Sequence, residues 1–319
     1  MTARPDHGHN ELAGALNRAV QAGILSAQQA RDVLAAERTR GPLSAGGRGL
    51  PLSEALGYLG GLLALSGAVT LALQYWREVP VAGRLGLLAT VAAATWLVGA
   101  RIADGSAAAL IRLRGALWFA SSVAVATLAA QAVSDLISAP QSAVWLAAGA
   151  AAALHAGLLW QLHNRPAQHL ACLAGVLVAA AGAADLASGH AAVVGLVVVL
   201  AGAVWVAGGW IAALPPAAIA LVGGGAAVLT GAAITADDWP GAAPLLGLAA
   251  ATLFVAAGIA TGRSPLSIAG LAGALGYLPW TVGYYFADSL GVPVALLVCG
   301  IVVLTVTMLA LRRSHAGTS

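Results

Sequence analysis

The chain of 319 residues carries 60% hydrophobic and 8% charged residues, a formal charge of +3, a pI near 9.2 and a mean hydropathy of +0.88. A water-soluble domain of this size needs about 25% charged residues to keep its surface wet, so the composition excludes one and makes lipid the solvent. The absence of lysine further excludes a Walker A phosphate loop, a kinase ATP-positioning lysine and a Schiff base to pyridoxal phosphate or retinal.

Only the first fifty residues have soluble character. From Glu11 to Ala22 the apolar positions Leu12, Leu16 and Val20 recur every four residues and share one helical face. Gly23 supplies a helix end. Ser26 and Gln29 have capping-box spacing, and a second helix to about Arg38 would present Ala30, Val33 and Leu34. The spacing therefore predicts a cytoplasmic helical hairpin over residues 1–40, followed by a flexible tether over 41–50. So small a unit buries little surface alone, so residues 11–38 are expected to dock on the membrane domain, on a second copy in a homo-oligomer, or on a protein partner. The nearly balanced charges of this segment and the lack of a third helix argue against DNA binding. No apolar core with a small-residue cleavage site precedes the first span, which is expected to act as the uncleaved targeting signal.

Residues 51–311 are expected to form the membrane domain. A bilayer core about 30 Å thick takes about 20 apolar residues per helix, and runs of that length recur ten times. The predicted spans are Ala55 to Tyr75, Val81 to Ala100, Gly115 to Leu136, Gln141 to Trp160, His169 to Leu186, Ala191 to Ala212, Pro216 to Thr235, Pro244 to Thr261, Leu266 to Ala287 and Gly291 to Leu311. The resulting fold class is all-α, a polytopic transmembrane helical bundle. Between the sixth and seventh spans only Leu214, Pro215 and Pro216 interrupt the run, and the proline pair predicts a tight turn there instead of one kinked helix.

Connections alternate in charge. Arg101, Arg112 and Arg114, then Arg165, then Arg263, and finally Arg312 and Arg313 in the tail at 312–319 mark one side; Asp135, Asp185, Asp237 with Asp238, and Asp288 mark the other. Arginine-rich short loops stay cytoplasmic, so both termini are expected in the cytoplasm. Arg77 and Arg84 break the pattern. With Trp76 and Glu78 they either form an outer-mouth contact for a headgroup or solute, or a Trp anchor beside a loop ion pair.

The run LNRAVQAGILSAQQARDVLAAE, the tether, and LGYLGGLLALSGAVTLALQYWREVPVAGRLGLL together resemble the opening of the bacterial multi-pass membrane proteins grouped as domain-of-unknown-function family 2157. Gly23, Leu25, Ser26, Gln29 and Ala30 carry the hairpin motif, and Trp76, Pro80 and Arg84 the end of the first span and the loop after it. The resemblance covers roughly the first 100 residues. It implies a multi-pass protein of the bacterial inner membrane, with no established activity to carry over.

Within the spans, His155 is the ionisable residue at depth, where such a group is costly and often functional. It is either a neutral imidazole bonded to a neighbouring helix or part of a proton relay or ligand site. Ser121, Ser122, Thr127, Gln131, His155 and Thr281 line a solute path or, equally, make interhelical hydrogen bonds. An intramembrane serine protease would pair His155 with Ser66, but Ala64-Leu65-Ser66-Gly67 lacks the expected Gly-x-Ser-Gly. No span has a carboxylate near its middle, which disfavours ion-coupled antiport. His163 and His169 flank Arg165 in a short loop with no thiol or carboxylate beside them, and no zinc, haem or other cofactor motif occurs. Cys172 and Cys299 lie at different depths and read as packing residues. Tyr75, Trp118, Trp145, Trp160, Trp210 and Trp239 read as interfacial anchors, while Trp96, Trp205 and Trp280 sit deeper.

The leading functional expectation is a non-enzymatic membrane protein acting through partners docked on residues 11–38. The alternative is a transporter or facilitator for a weakly polar or lipid-like solute passing His155. An intramembrane enzyme ranks third, since no catalytic constellation is evident.

Overall fold

The structure, a computed structural model, describes residues 14–18, 20–23, 26–39, 74–76, 78–103, 108–163 and 166–286, together with positions 63, 67, 70, 293, 297 and 300. The chain divides into two compact units, Met1–Glu78 and Val79–Ser319. All regular structure among the described residues is helical.

In the first unit residues 14–18, 20 and 21 are helical and Gly23 takes a positive φ of 70°, so the stop is where a residue without Cβ is needed. Helix α1 (Ala27–Thr39) follows. Its start carries the expected reciprocal cap: the Ser26 backbone N–H donates to Gln29 Oε1 (2.9 Å) and the Gln29 N–H donates to Ser26 Oγ (3.2 Å). Ala30 is buried, whereas Val33 is exposed. Most of the predicted span Ala55 to Tyr75 lies outside the described residues, although Tyr75 ends a helical turn and Trp76 sits in the turn after it.

Among its described residues the second unit holds eight helices long and apolar enough to cross a membrane, which makes the protein a multi-pass membrane protein. They are α2 (Val81–Ala100), α3 (Ala108–Ala132, continued by a π-helical turn Val133–Ile137), α4 (Gln141–His163), α5 (Pro166–Ser188), α6 (Ala191–Trp210), α7 (Ala217–Ile234, with a 3-10 turn Thr235–Asp237), α8 (Ala242–Thr261) and α9 (Ser264–Phe286). They match the second to ninth predicted spans. The tenth, Gly291 to Leu311, lies outside the described residues apart from three helical positions.

Two sets of boundaries differ from the sequence reading. Arg112 and Arg114 were placed in a connection but lie inside α3, and His163 and His169 were placed in a loop but lie on α4 and α5. The reason is that charge marks distance from the centre of the lipid. Arginine is a good helix former whose long side chain reaches the interface, so the helix runs on past the point where lipid crossing ends. The proline pair behaves as expected: α6 stops at Trp210, α7 restarts at Ala217, and the turn between them contains Ala212 at a positive φ of 56° and a cis Pro215-Pro216 bond.

Helices pack as four consecutive antiparallel hairpins, α2/α3, α4/α5, α6/α7 and α8/α9, and the second members α3, α5, α7 and α9 also touch in series. Every hairpin turn falls at the end of the unit that carries the arginines. Glycine sets the closest crossings. A Cβ built on Gly149 would lie 2.2 Å from the backbone N of Ala179, one on Gly175 2.4 Å from Ala153 N, and one on Gly182 2.5 Å from Leu146 N. Gly202 with Gly224 does the same for α6/α7, and Gly270 against Val255 for α8/α9. Lipid tails are as apolar as leucine, so these helices associate through backbone-to-backbone van der Waals contact.

Candidate functional site

Three stripes at helical spacing meet in a cavity of about 750 Å³ between α2, α3 and α4. On α2 the stripe is mostly alanine, including Ala89, Ala92 and Ala93, and ends on Trp96 and Ala100. On α3, Arg114, Trp118, Ser121, Val125 and Leu128 fall four and three residues apart and so line one face, about 20 Å long at 1.5 Å per residue. On α4, His155, Leu158, Leu159, Leu162 and His163 complete the wall. Alanines on α2 leave the room that larger side chains would fill. Its volume falls in the range of small-molecule sites, about 300–1,000 Å³.

Polar groups in this groove sit at two levels about 10 Å apart, seven residues along α3. At the deeper level Ser121 is fully buried, 2.9 Å from the Ala92 carbonyl and 3.1 Å from His155 Nε2. A serine hydroxyl has one proton and a carbonyl can only accept, so Ser121 Oγ donates to Ala92 O. His155 Nε2 must then carry its own hydrogen and donate to Ser121 Oγ. An imidazole in that tautomer orients the serine without withdrawing its proton, which is the reverse of a nucleophile and its base. Ser66, the serine first considered for that role, lies outside the described residues.

At the arginine-bearing end, Arg114 is only 3% exposed, and its Nη1 donates to Ile102 O at 2.9 Å. Two basic side chains approach Trp118: the Arg114 guanidinium is 5.2 Å from the ring centre and the His163 ring 4.4 Å away. The indole N–H donates to Trp96 O at 3.2 Å, which holds the ring in place across the hairpin. His163 Nδ1 is buried with no hydrogen-bond partner.

The six predicted path residues do not form one path. Ser121 and His155 meet in the groove. Ser122 donates to Trp118 O and Thr127 to Val123 O, and both line a separate apolar pocket of about 240 Å³. Gln131 donates to Asp135 Oδ2 at 2.7 Å, and Thr281 bonds Tyr277 O and Pro244 O in the last hairpin. Of the proposed outer-mouth group, Arg84 is held by Asp135, its Nη1 3.2 Å from Oδ2, while its Nε donates to Val79 O. Arg77 lies outside the described residues.

A second cluster was not legible as such. His169 is 0% exposed; its Nδ1 is 3.1 Å from Pro215 O, and Trp205 Nε1 donates to its Nε2 at 2.7 Å. An indole N–H only donates and a carbonyl only accepts, so His169 is a neutral imidazole protonated on Nδ1. Trp160 Nε1 donates to the same Pro215 O at 2.8 Å and its ring lies 4.3 Å from His169. Trp205 thus bonds α6 to α5, and Trp160, expected as an interfacial anchor, bonds α4 to the turn between α6 and α7. The sequence signal was the depth of Trp205, which has an N–H to satisfy in lipid. Trp210 likewise pairs with Arg263, whose Nη1 donates to Trp210 O (2.7 Å) and whose guanidinium lies 4.5 Å from its ring centre. Cys172 is free and buried beside Ala156 and Ala171.

No protein-family model, curated protein or solved structure matches the chain.

Proposed function

We propose that the protein is a facilitator for a weakly polar or lipid-like solute, which it binds in the groove between α2, α3 and α4. In this reading it is a ten-span protein of the bacterial inner membrane, with both termini and the helical hairpin in the cytoplasm. One observation carries it: the groove reaches the Ser121–His155 pair, so polar groups deep in the apolar layer are reachable from a space large enough for a ligand. Packed helices that merely hold together leave no such space. The test is transbilayer movement of a fluorescent monoacyl lipid in liposomes containing the full chain. Wild-type protein should accelerate it over empty liposomes, and Ala93→Phe, which projects a ring from the exposed alanine face, should remove the acceleration. Equal rates with and without protein would refute the proposal.

Docking of a protein partner on residues 11–38 is a second reading. It is favoured by the pre-formed cap of α1 and by Val33, an apolar side chain left exposed on that helix. Deleting residues 1–40 should then abolish a co-purifying complex while the spans remain inserted; an unchanged interaction set would dismiss it.

A further inference from the structure

Helices α6 and α8 both pack on α7, and between them lies a cleft of about 420 Å³ that reaches Trp210 at the arginine-bearing end. We propose that this cleft seats one anionic phospholipid, its phosphate on the Arg263 guanidinium and an acyl chain laid along α6 over Val228 and Phe254. The seat shares no lining residue with the groove between α2, α3 and α4.

Residue size makes the cleft. Ala203, Val206, Ala207 and Trp210 fall three, one and three residues apart and line one face of α6, with Ala250, Leu253 and Phe254 of α8 across from them. Val228 and Phe254 are buried and form the floor, while Ile211 and Leu253 are 74% and 64% exposed at the rim, so the cleft opens to the surrounding lipid. Left empty, such a space deprives its apolar lining of contacts on one side. Water needs polar partners that these walls do not offer, whereas an acyl chain of the bilayer fills the cleft without cost to a polar group. From Trp210 to Ala203 the wall runs for about 10 Å at 1.5 Å per residue, which suits a chain and not a compact polar solute. Trp210 joins this apolar part to the charge. Its ring lines the cleft, and the Arg263 guanidinium lies 4.5 Å from the ring centre while Nη1 donates to Trp210 O at 2.7 Å. One of five N–H donors is thereby used and the fork is held still, which leaves donors in the planar arrangement that phosphate oxygens accept. Among the described residues no carboxylate pairs with Arg263. Basic pockets between helices at one face of a membrane bind anionic headgroups, and guanidinium makes charge-assisted bonds to their phosphates. A zwitterionic lipid brings the same phosphate with a cation beside it, which weakens the attraction.

Full-length protein in phosphatidylcholine nanodiscs provides the test, with phosphatidylglycerol or phosphatidylcholine carrying brominated acyl chains as the two probes. Quenching of Trp210 is read as the difference between the wild type and Trp210→Phe, which keeps a ring beside Arg263 and the carbonyl it bonds. Brominated phosphatidylglycerol should occupy the cleft at about tenfold lower mole fraction than brominated phosphatidylcholine, the lower end of what hydrogen bonds to a charged group supply, since Arg263 is only half-buried. Arg263→Gln, which retains a donor for Trp210 O, should erase that preference. Arg101→Gln removes the same charge from the same end of the unit but away from the cleft, and should leave the preference intact. Ala203→Phe, on the exposed rim, should reduce Trp210 quenching by both lipids by filling the path of the chain. Equal occupancy by the two lipids in the wild type would overturn the assignment without recourse to any variant at Arg263. An equal loss of preference in Arg101→Gln and Arg263→Gln would overturn it by showing diffuse surface charge, and unchanged quenching in Ala203→Phe would show that no chain lies in the cleft. Loss of the preference on adding millimolar inorganic phosphate would overturn it by showing that Arg263 takes a free anion.

Discussion

Replacing Gly149 with alanine tests whether backbone contact holds the hairpins together. The added methyl would meet Ala179 N at 2.2 Å, Ala179 Cα at 2.7 Å and Gly175 O at 2.7 Å, all backbone atoms that cannot rotate away. Carbon contacts are optimal near 3.5–4.0 Å, so α4 and α5 must separate by about 1 Å, and a gap of that size forfeits up to about half of each contact's well depth. The loss spreads, because Gly175 against Ala153 and Gly182 against Leu146 sit at similarly short range along the same interface. Overpacking a tight core costs about 1–3 kcal/mol when side chains can adjust; with helix backbones as the obstacle we expect about 3 kcal/mol, roughly a hundredfold in the unfolding equilibrium. The controls carry the opposite sign. Gly115 in α3 and Gly276 in α9 have nothing within 4 Å of an added Cβ, so alanine there should stabilise by about 0.5–1 kcal/mol through helix propensity alone. Reversible unfolding of the full chain in mixed micelles, driven by increasing SDS and followed by helical circular dichroism, gives all three values. If Gly149→Ala falls within about 0.5 kcal/mol of Gly276→Ala, close packing at glycine is not what binds α4 to α5.

Three further outcomes can be measured on the same protein. Nitrogen NMR of the imidazoles should find His169 protonated on Nδ1 and His155 on Nε2, because Trp205 and Ala92 fix the two tautomers in opposite senses; a protonated Nε2 on His169 would contradict the network. Asp135→Asn should cost about 1–3 kcal/mol in unfolding, since Arg84 keeps its charge in a largely buried position while losing its counter-charge. Combining it with Arg84→Gln should recover part of that cost, and strict additivity of the two changes would show that the pair is not coupled. Ser26→Ala should accelerate amide exchange across the first turn of α1, consistent with a cap worth about 0.5–2 kcal/mol, and unchanged exchange at Gln29 would show that the hydroxyl does not hold that turn.

Different parts of the molecule were legible in the sequence for different physical reasons. Span positions follow from the length of apolar runs, a property each segment carries by itself, and the proline turn after Trp210 follows from a missing donor and a fixed φ. The Ser26 cap is equally local. Facing was the hidden quantity. Helices that are apolar all round show no preferred face, so which residues meet is decided by glycine positions on the partner helix. Ser121 and His155 were both picked out, but as members of a group of six; only the structure separates them from Ser122, which is adjacent to Ser121 in sequence and points away from the groove. Arg114 did carry a readable signal, since it lies seven residues before Ser121 and therefore on its face, but assigning it to a connection by charge concealed the spacing.

The charge alternation also has a cause within the structure. In lipid, a helix end exposes carbonyls or N–H groups that water cannot satisfy, and each needs a partner from the protein. At the arginine-bearing end the structure supplies donors: Arg114 to Ile102 O beyond α2, Arg263 to Trp210 O at the end of α6, and Trp160 with His169 to Pro215 O in the turn. At the opposite end an acceptor does the matching work, Asp238 Oδ2 taking the Ala192 N–H at the start of α6, where His190 provides no side-chain cap. Arg263 comes from the turn of the α8/α9 hairpin and so joins α6 to the next pair, whereas Asp238 follows α7 and ties the start of α6 to its own hairpin partner. Charged residues near the helix ends therefore also hold helices in register, within a hairpin for Arg114 and Asp238 and between hairpins for Arg263. Arg84 shows the limit of reading charge as topology alone: it lies at the aspartate-bearing end, where Asp135 pairs with it, and its exception to the alternation is a structural contact within the α2/α3 hairpin.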